Sequence, residues 1–275
     1  MRTEAEVSDH YTHGGLLDAV RAGIHQIGKT ADNITVQDLA GVDEFHIGGR
    51  PASVDFFRYL GLTSSDHALD VGCGLGGPAR TAAVTAGCQV TGVDLTAEFV
   101  DTGGALCDWL GLADRVRLRC ASALDMPFED AAFTAAYMMH VGMNIADKTA
   151  LFKEVYRVLR PGAKFGVYDV MRTGSGDLSF PKPWATAATT SFVAALDDYE
   201  RALAAAGLRV VAREDRRDFA LAFFAEMQKR ARQAGGPPPL GMHVVMGHGA
   251  ADKIQNMVID IQNGLIAPVK IIAVK

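Results

Sequence analysis

The chain has 275 residues, 49% hydrophobic and 21% charged, the balance of an ordinary globular protein long enough to bury one large core. Its 27 Lys and Arg against 32 Asp and Glu leave a formal charge of -5, which argues against a nucleic-acid partner that would need a dominant basic face. The leading MRTEAEVSDHYTHGG mixes both charge signs without an apolar run, and no later stretch reads as a membrane span, so a cytoplasmic protein with no membrane partner is expected.

Residues 1–60 carry polar and Gly-rich stretches around short apolar pieces and read as an N-terminal lid ahead of a main domain at 61–275. From His67 the texture changes. ALDVG at 68–72, CQVTGVDL at 88–95, RVRLRCAS at 115–122, FTAAYMMH at 133–140, AKFGVYDVM at 163–171 and LRVVARED at 208–215 are strand candidates. They alternate with helix candidates, which predicts a parallel sheet covered on both faces. In 147–160, Leu151, Phe152, Val155, Val158 and Leu159 share one helical face behind Asp147 as N-cap, and Pro161-Gly162 forces a turn. DDYERALAAAGL sets Asp197 three residues before Glu200, a capping-box spacing, and ends on Gly207. RTGSGDLSFPKPW at 172–184 opens an insertion and AGGPPPLG at 234–241 is a linker; FALAFFAEMQKRARQ and ADKIQNMVIDIQNGL are amphipathic helices. Cap insertions are thus placed at about 172–195 and 219–262, and APVKIIAVK reads as the last strand. Cys73, Cys88, Cys107 and Cys120 form no CxxC pair, which argues against a zinc cluster or a disulfide framework, so no metal is expected.

The sharpest chemical signal is DVGCGLGG at 70–77, between an apolar strand and a helix-compatible run. Glycines let a ligand approach the backbone, and a helix N-terminus adds free N-H groups. Gly72, Gly74 and Gly77 satisfy GxGxxG, a spacing that by itself does not separate a dinucleotide from another adenosine cofactor. Asp94 closes the second strand, where a carboxylate can accept both hydroxyls of a ribose, and Leu95 beside it suits the face of a purine.

LDVGCGLGG, the strand-end Asp94, SALDMPF at 122–128 and LRPGAKFGVYDV at 159–170 together resemble the class I S-adenosylmethionine-dependent methyltransferases. FHIGGR at 45–50 and the closing IQNGLIAPVKIIAVK are similar to the sarcosine and dimethylglycine N-methyltransferase branch. The resemblance implies a doubly wound, Rossmann-like α/β fold with a seven-stranded, mostly parallel sheet, an N-terminal helical lid, a C-terminal cap and an antiparallel last strand. S-adenosylmethionine is the implied cofactor. Asp70, Gly72 and Gly74 would line its methionine end, Asp94 its ribose, and Leu95, Ser122, Ala123 and Met126 its adenine. Ser122 departs from the acid often found there.

His140 ends the fourth strand where relatives frequently carry a carboxylate; an imidazole with a pKa near ~6.5 would accept a proton at neutral pH. Asn144, one turn later, would orient a polar group of the substrate. Tyr11 and His46 are further catalytic candidates and Arg50 a reader of a substrate carboxylate, each against the competing reading of a solvated lid residue. Phe219, Phe223, Phe224 and Met227 recur at helical spacing, as core or as the wall of an acceptor pocket. The leading expectation is methyl transfer to a small amine. The alternatives are O- or C-methylation of a larger apolar metabolite, a NAD-dependent oxidoreductase, and a catalytically silent cofactor-binding protein.

Overall fold

The computed structural model describes residues 4–275. Four helices come first, α1 (Glu4–Tyr11), α2 (Leu16–Gln26), α3 (Val36–Asp43) and α4 (Gly49–Leu60). An alternating unit follows: β1 (His67–Val71), α5 (Gly77–Thr85), β2 (Gln89–Asp94), α6 (Ala97–Trp109), β3 (Val116–Cys120), β4 (Phe133–Met139), α7 (Lys148–Val158) and β5 (Leu159–Arg172). The chain closes with α8 (Leu196–Ala205), β6 (Arg209–Asp215), α9 (Arg217–Ala234), α10 (Met242–Met246), α11 (Ala250–Gln262) and β7 (Ile266–Val274). The strands form one sheet in the order β3-β2-β1-β4-β5-β7-β6. Only β7 runs antiparallel, pairing with β5 on one side and β6 on the other, so the expected seven-stranded fold is the one observed.

Two-residue alternation in the strands splits the core. Leu69, Val71, Ala136 and Met138 face α7 and α8, while Ala68, Ala135, Tyr137 and Met139 face α4 and α5. Helix α4 buries Ala52, Phe56 and Leu60 at four-residue intervals against that second face. Leu151, Phe152, Val155 and Val158 are buried on α7 as their spacing predicts, and the Asp147 carboxylate accepts from the Ala150 amide at 2.8 Å. Leu159 instead begins β5. The start of α8 also differs from expectation: Ala195 N-H donates to Asp198 at 3.0 Å, so Asp198 plays the part read for Glu200, whose carboxylate binds Arg213.

Two insertions build the cap on the second face of the molecule. The loop after β5 is clasped to α11 by a buried ion pair between Lys182 and Asp260, and Asp260 also accepts from the Ser179 amide at 2.9 Å. Helices α9 and α11 pack with Ile47, Met143 and Trp184 into a separate apolar cluster. Among the described residues no helix is long and apolar enough to cross a membrane.

Candidate active site

The sheet order reverses between β1 and β4, and crevices at such switch points, outside the carboxyl ends of parallel strands, are where α/β folds bind ligands. A cavity of about 280 Å³ lies there, roofed by α1 and walled on its far side by the cap.

Its floor is the turn after β1. Gly72 has φ of 74° and a Cβ on it would meet Val141 at 2.4 Å, so only glycine fits. Gly77, the last glycine of the motif, does not line the cavity; it packs against the Asp43 carbonyl. The Gly74 amide donates to one Asp94 oxygen at 2.8 Å and the Thr96 amide to the other at 2.9 Å. Each oxygen keeps a second lone pair directed elsewhere. Burial raises the Asp94 carboxyl above its ordinary range, against the pull of these amides. Asp70 is 1% exposed and one of its oxygens has no hydrogen-bond partner, a costly arrangement for a carboxylate. Burial pushes its carboxyl well above the usual range.

Asp43, not singled out by the sequence, also lines the cavity and pairs with the fully buried Arg80 at 2.7 Å. Burial moves its carboxyl up to about 6 although Arg80 acts the other way. Next to it Glu44 accepts from His46 at 2.9 Å, Ser53 at 2.6 Å and Thr81 at 2.6 Å. Burial raises Glu44, but these bonds and the imidazole outweigh it and hold the carboxyl below its ordinary value. The only sequence signal for this network was an acid pair just before FHIGGR.

Leu95, Phe99, Ala121, Ala123 and Leu124 form the adjoining apolar wall. Ser122 and Met126, expected around the adenine, are placed elsewhere. Ser122 points out to the Glu4 carboxylate of α1, because alternate side chains of an extended segment face opposite ways, and Met126, 2% exposed, packs in the core under α7.

His140 does face the cavity, in the left-handed region at φ 59°. Its Nδ1 lies 3.2 Å from the Tyr168 carbonyl, and Ile47 N-H points at Nε2 from 3.4 Å. Nδ1 is therefore the protonated nitrogen and Nε2 the acceptor. Burial, reinforced by His46 nearby, drives its pKa down to about 3, so the base titrating near neutrality that the sequence suggested is not present. His46 lines the cavity but commits Nε2 to Glu44 and Ser53. The Tyr11 hydroxyl donates to Asn144 Oδ1 at 3.2 Å, which brings the lid and the turn after β4 together at the cavity.

Arg50 is a correction. It donates to Gln37 of α3 at 3.1 Å and does not line the cavity. Among the described residues no Lys or Arg lines it. The cap side is instead Met143, Trp184, Phe223, Phe224, Met246 and Met257. Phe219, expected with this set, packs against Gly48 of the lid and stacks under Arg216 at 4.2 Å. Among the described residues no cluster suited to a metal ion is found.

Residues 69–167 match the family described as a methyltransferase domain. A sterol 24-C-methyltransferase from Eremothecium gossypii is 37% identical over 122 residues, 44% of this chain and 33% of that protein. An O-methyltransferase from Aspergillus sclerotiorum is 31% identical over 59% of this chain and 58% of its own length. The chain spans about a third of the length of the sterol methyltransferases it matches. The fold of a putative sarcosine dimethylglycine methyltransferase from Galdieria sulphuraria superposes with a TM-score of 0.64 at 19% identity, covering 94% of this chain and 98% of that one. The glycine turn and the strand-end Asp94 fall within the matched segment, and together with the sheet order these matches support a class I S-adenosylmethionine-dependent methyltransferase.

Proposed function

We propose that this protein transfers a methyl group from S-adenosylmethionine to a largely apolar small molecule, at a neutral oxygen or carbon, rather than to a zwitterionic amine. The observation that carries this reading is the cavity wall: methionine and aromatic side chains on the cap side, no Lys or Arg among the described residues that line it, and Arg50 bonded to Gln37 instead. A glycine-derived acceptor brings a carboxylate, and a buried carboxylate without a cation or donors is strongly disfavoured. The names of the relatives, sterol C-methyltransferase and O-methyltransferase, are in keeping with it.

The residues suit the cofactor. The unpartnered Asp70 oxygen and the Gly72–Gly74 turn would take the methionine end with its ammonium, the free lone pairs of Asp94 would accept from the ribose hydroxyls, and the wall at Leu95, Phe99, Ala123 and Leu124 would enclose the adenine. When bound, the cofactor supplies an electrophilic methyl on a sulfonium. The protein's share is then to hold the acceptor in line and exclude water, which accounts for much of the barrier lowering in such displacements. His140, neutral, spends Nδ1–H on the Tyr168 carbonyl and the single Nε2 lone pair on the Ile47 amide, so it would wall the acceptor site rather than deprotonate the substrate. The NAD-dependent alternative lapses with the family assignment.

The test is a competition assay with S-adenosylmethionine and mass detection of products, setting hydrophobic alcohols, phenols and alkenes against sarcosine and dimethylglycine. Product from the apolar panel is expected. Turnover confined to the amines sinks the reading.

A further inference from the structure

The turn between β4 and α7 supplies much of the cavity wall, where the Tyr11 hydroxyl meets Asn144 and the Ile47 amide meets His140. A second set of supports comes from behind the sheet. The Gly142 amide donates to Asp169 Oδ2 at 2.8 Å, and the Tyr199 hydroxyl of α8 donates to the same oxygen at 2.7 Å. Asp169, in β5, is fully buried and its other oxygen has no partner. A Cβ on Gly142 would lie 2.3 Å from both Asp169 Oδ2 and the Tyr199 hydroxyl, so the contact admits no side chain. Around it, Lys148 donates to the carbonyls of Ile145 and Phe192, and Phe192 N-H returns to the Met143 carbonyl at 2.9 Å. The preceding residue, Tyr168, holds His140 through its carbonyl at both the amide, 2.8 Å, and Nδ1, 3.2 Å. Consecutive residues of one strand therefore set consecutive parts of the turn.

We propose that Asp169 is a positioning residue for methyl transfer: without touching substrate or cofactor, its carboxylate fixes the turn that presents His140 and Asn144 to the cavity. A charged acceptor shared by an amide and a phenol makes stronger bonds than a neutral one. Burial raises this carboxyl to about 6, against Tyr199, Lys148 of α7 and the amides of Gly142 and Val170; Asp198 of α8 acts on the same lysine. The carboxylate is therefore ionised at neutral pH and lost on mild acidification, and the turn loosens with it.

The role of the turn in turnover rests on the methyl-transfer reading, but the position of His140 does not. Two measurements on Asp169→Asn and Tyr199→Phe keep them apart: the His140 ring 1H-15N signals with S-adenosylhomocysteine bound, and the pH profile of turnover. Asp169→Asn is expected to displace the His140 signals and slow turnover roughly 10- to 100-fold, with cofactor affinity retained, since small misplacements at a reacting centre cost that much. Tyr199→Phe removes a bond that favours the ionised carboxyl, so the acid limb of turnover, expected near about 6 in the wild type, moves to higher pH. Wild-type His140 signals and rate in Asp169→Asn overturn the proposal, as does equal loss of cofactor affinity and fold in both variants. Should Asp169→Asn not fold, an unmoved acid limb in Tyr199→Phe overturns it. If no acceptor is methylated by the wild type, the function fails while displaced His140 signals still uphold the positioning role and unmoved ones reject it.

Discussion

Asp94 already accepts an amide proton at each oxygen before any ligand arrives, which fixes the carboxylate plane and leaves the outer lone pairs for a diol. Asp94→Ala is expected to weaken S-adenosylhomocysteine by roughly 1.5 to 3 kcal/mol for each charge-assisted bond lost, read by calorimetry; an unchanged Kd would remove the ribose role. His140 carries the opposite lesson. Its place at a strand end was legible in FTAAYMMH, but its protonation was not, because that depends on the Tyr168 carbonyl, the Ile47 amide and burial, none of them local in sequence. Its folded pKa lies about 3, so its Cε1-H resonance should not move between about pH 5 and 8, and an inflection near 6.5 would restore it as a neutral-pH base. The miss at Ser122 is a matter of phase. The segment was located correctly, yet in an extended stretch one residue of offset turns a side chain from the cavity to the lid, where Glu4 meets it.

β1 and β2 were legible because each is a short apolar run closed by glycine or an acid, and α7 because its apolar spacing and N-cap agree. The lid was not resolved into helices. α1 buries no residue and so lacks the apolar period that reveals a helix; it is held by polar contacts, Tyr11 to Asn144 and Ser122 to Glu4, and the Glu98 carboxylate of α6 takes the amides of His13, Gly14 and Leu16 just beyond it. The cap was seen as helices and linkers, but its Lys182–Asp260 clasp joins residues far apart in sequence and no local pattern announces it. Because that lysine is fully buried, Asp260→Ala leaves a cation supported by the Asn256 carbonyl in place of a carboxylate. A loss of about 3–5 kcal/mol is expected in chemical denaturation, with the acceptor KM rising before cofactor affinity changes, since Pro183 and Trp184 of the clasped loop wall the acceptor side. Wild-type stability in this variant would show that the clasp contributes nothing.

Buried carboxyls at the cavity floor and behind it give the whole molecule an unusual dependence on pH. Asp43 and Asp169 are raised to about 6 and Asp70 well above its ordinary value, each mainly by burial. A raised carboxyl binds its proton more tightly in the folded state, so stability falls as pH rises from the unfolded value of about 3.9 through the folded one. His140, lowered to about 3, and His67, also lowered by burial, act with the opposite sign, but only up to the ordinary histidine value of about 6.5. Asp43 and Asp169 finish titrating about a unit above 6 and the histidines of the unfolded chain about a unit above 6.5, while Lys148, lowered by burial to about 8, adds stability as pH rises from there toward the ordinary lysine value of about 10.4. Wherever Asp70 still holds its proton in the folded protein, the wild type should lose more thermal stability with rising pH than Asp70→Asn, which has no charge to bury. Bound S-adenosylhomocysteine brings an ammonium to the unpartnered Asp70 oxygen, favours its ionised form and so releases a proton. Cofactor affinity of the wild type, and its stabilisation by ligand, should then rise with pH, and Asp70→Asn should show neither trend. Melting curves with and without ligand decide it: parallel pH dependence in the two proteins would mean that Asp70 is already ionised, and that its orphaned oxygen faces something other than the methionine end of the cofactor.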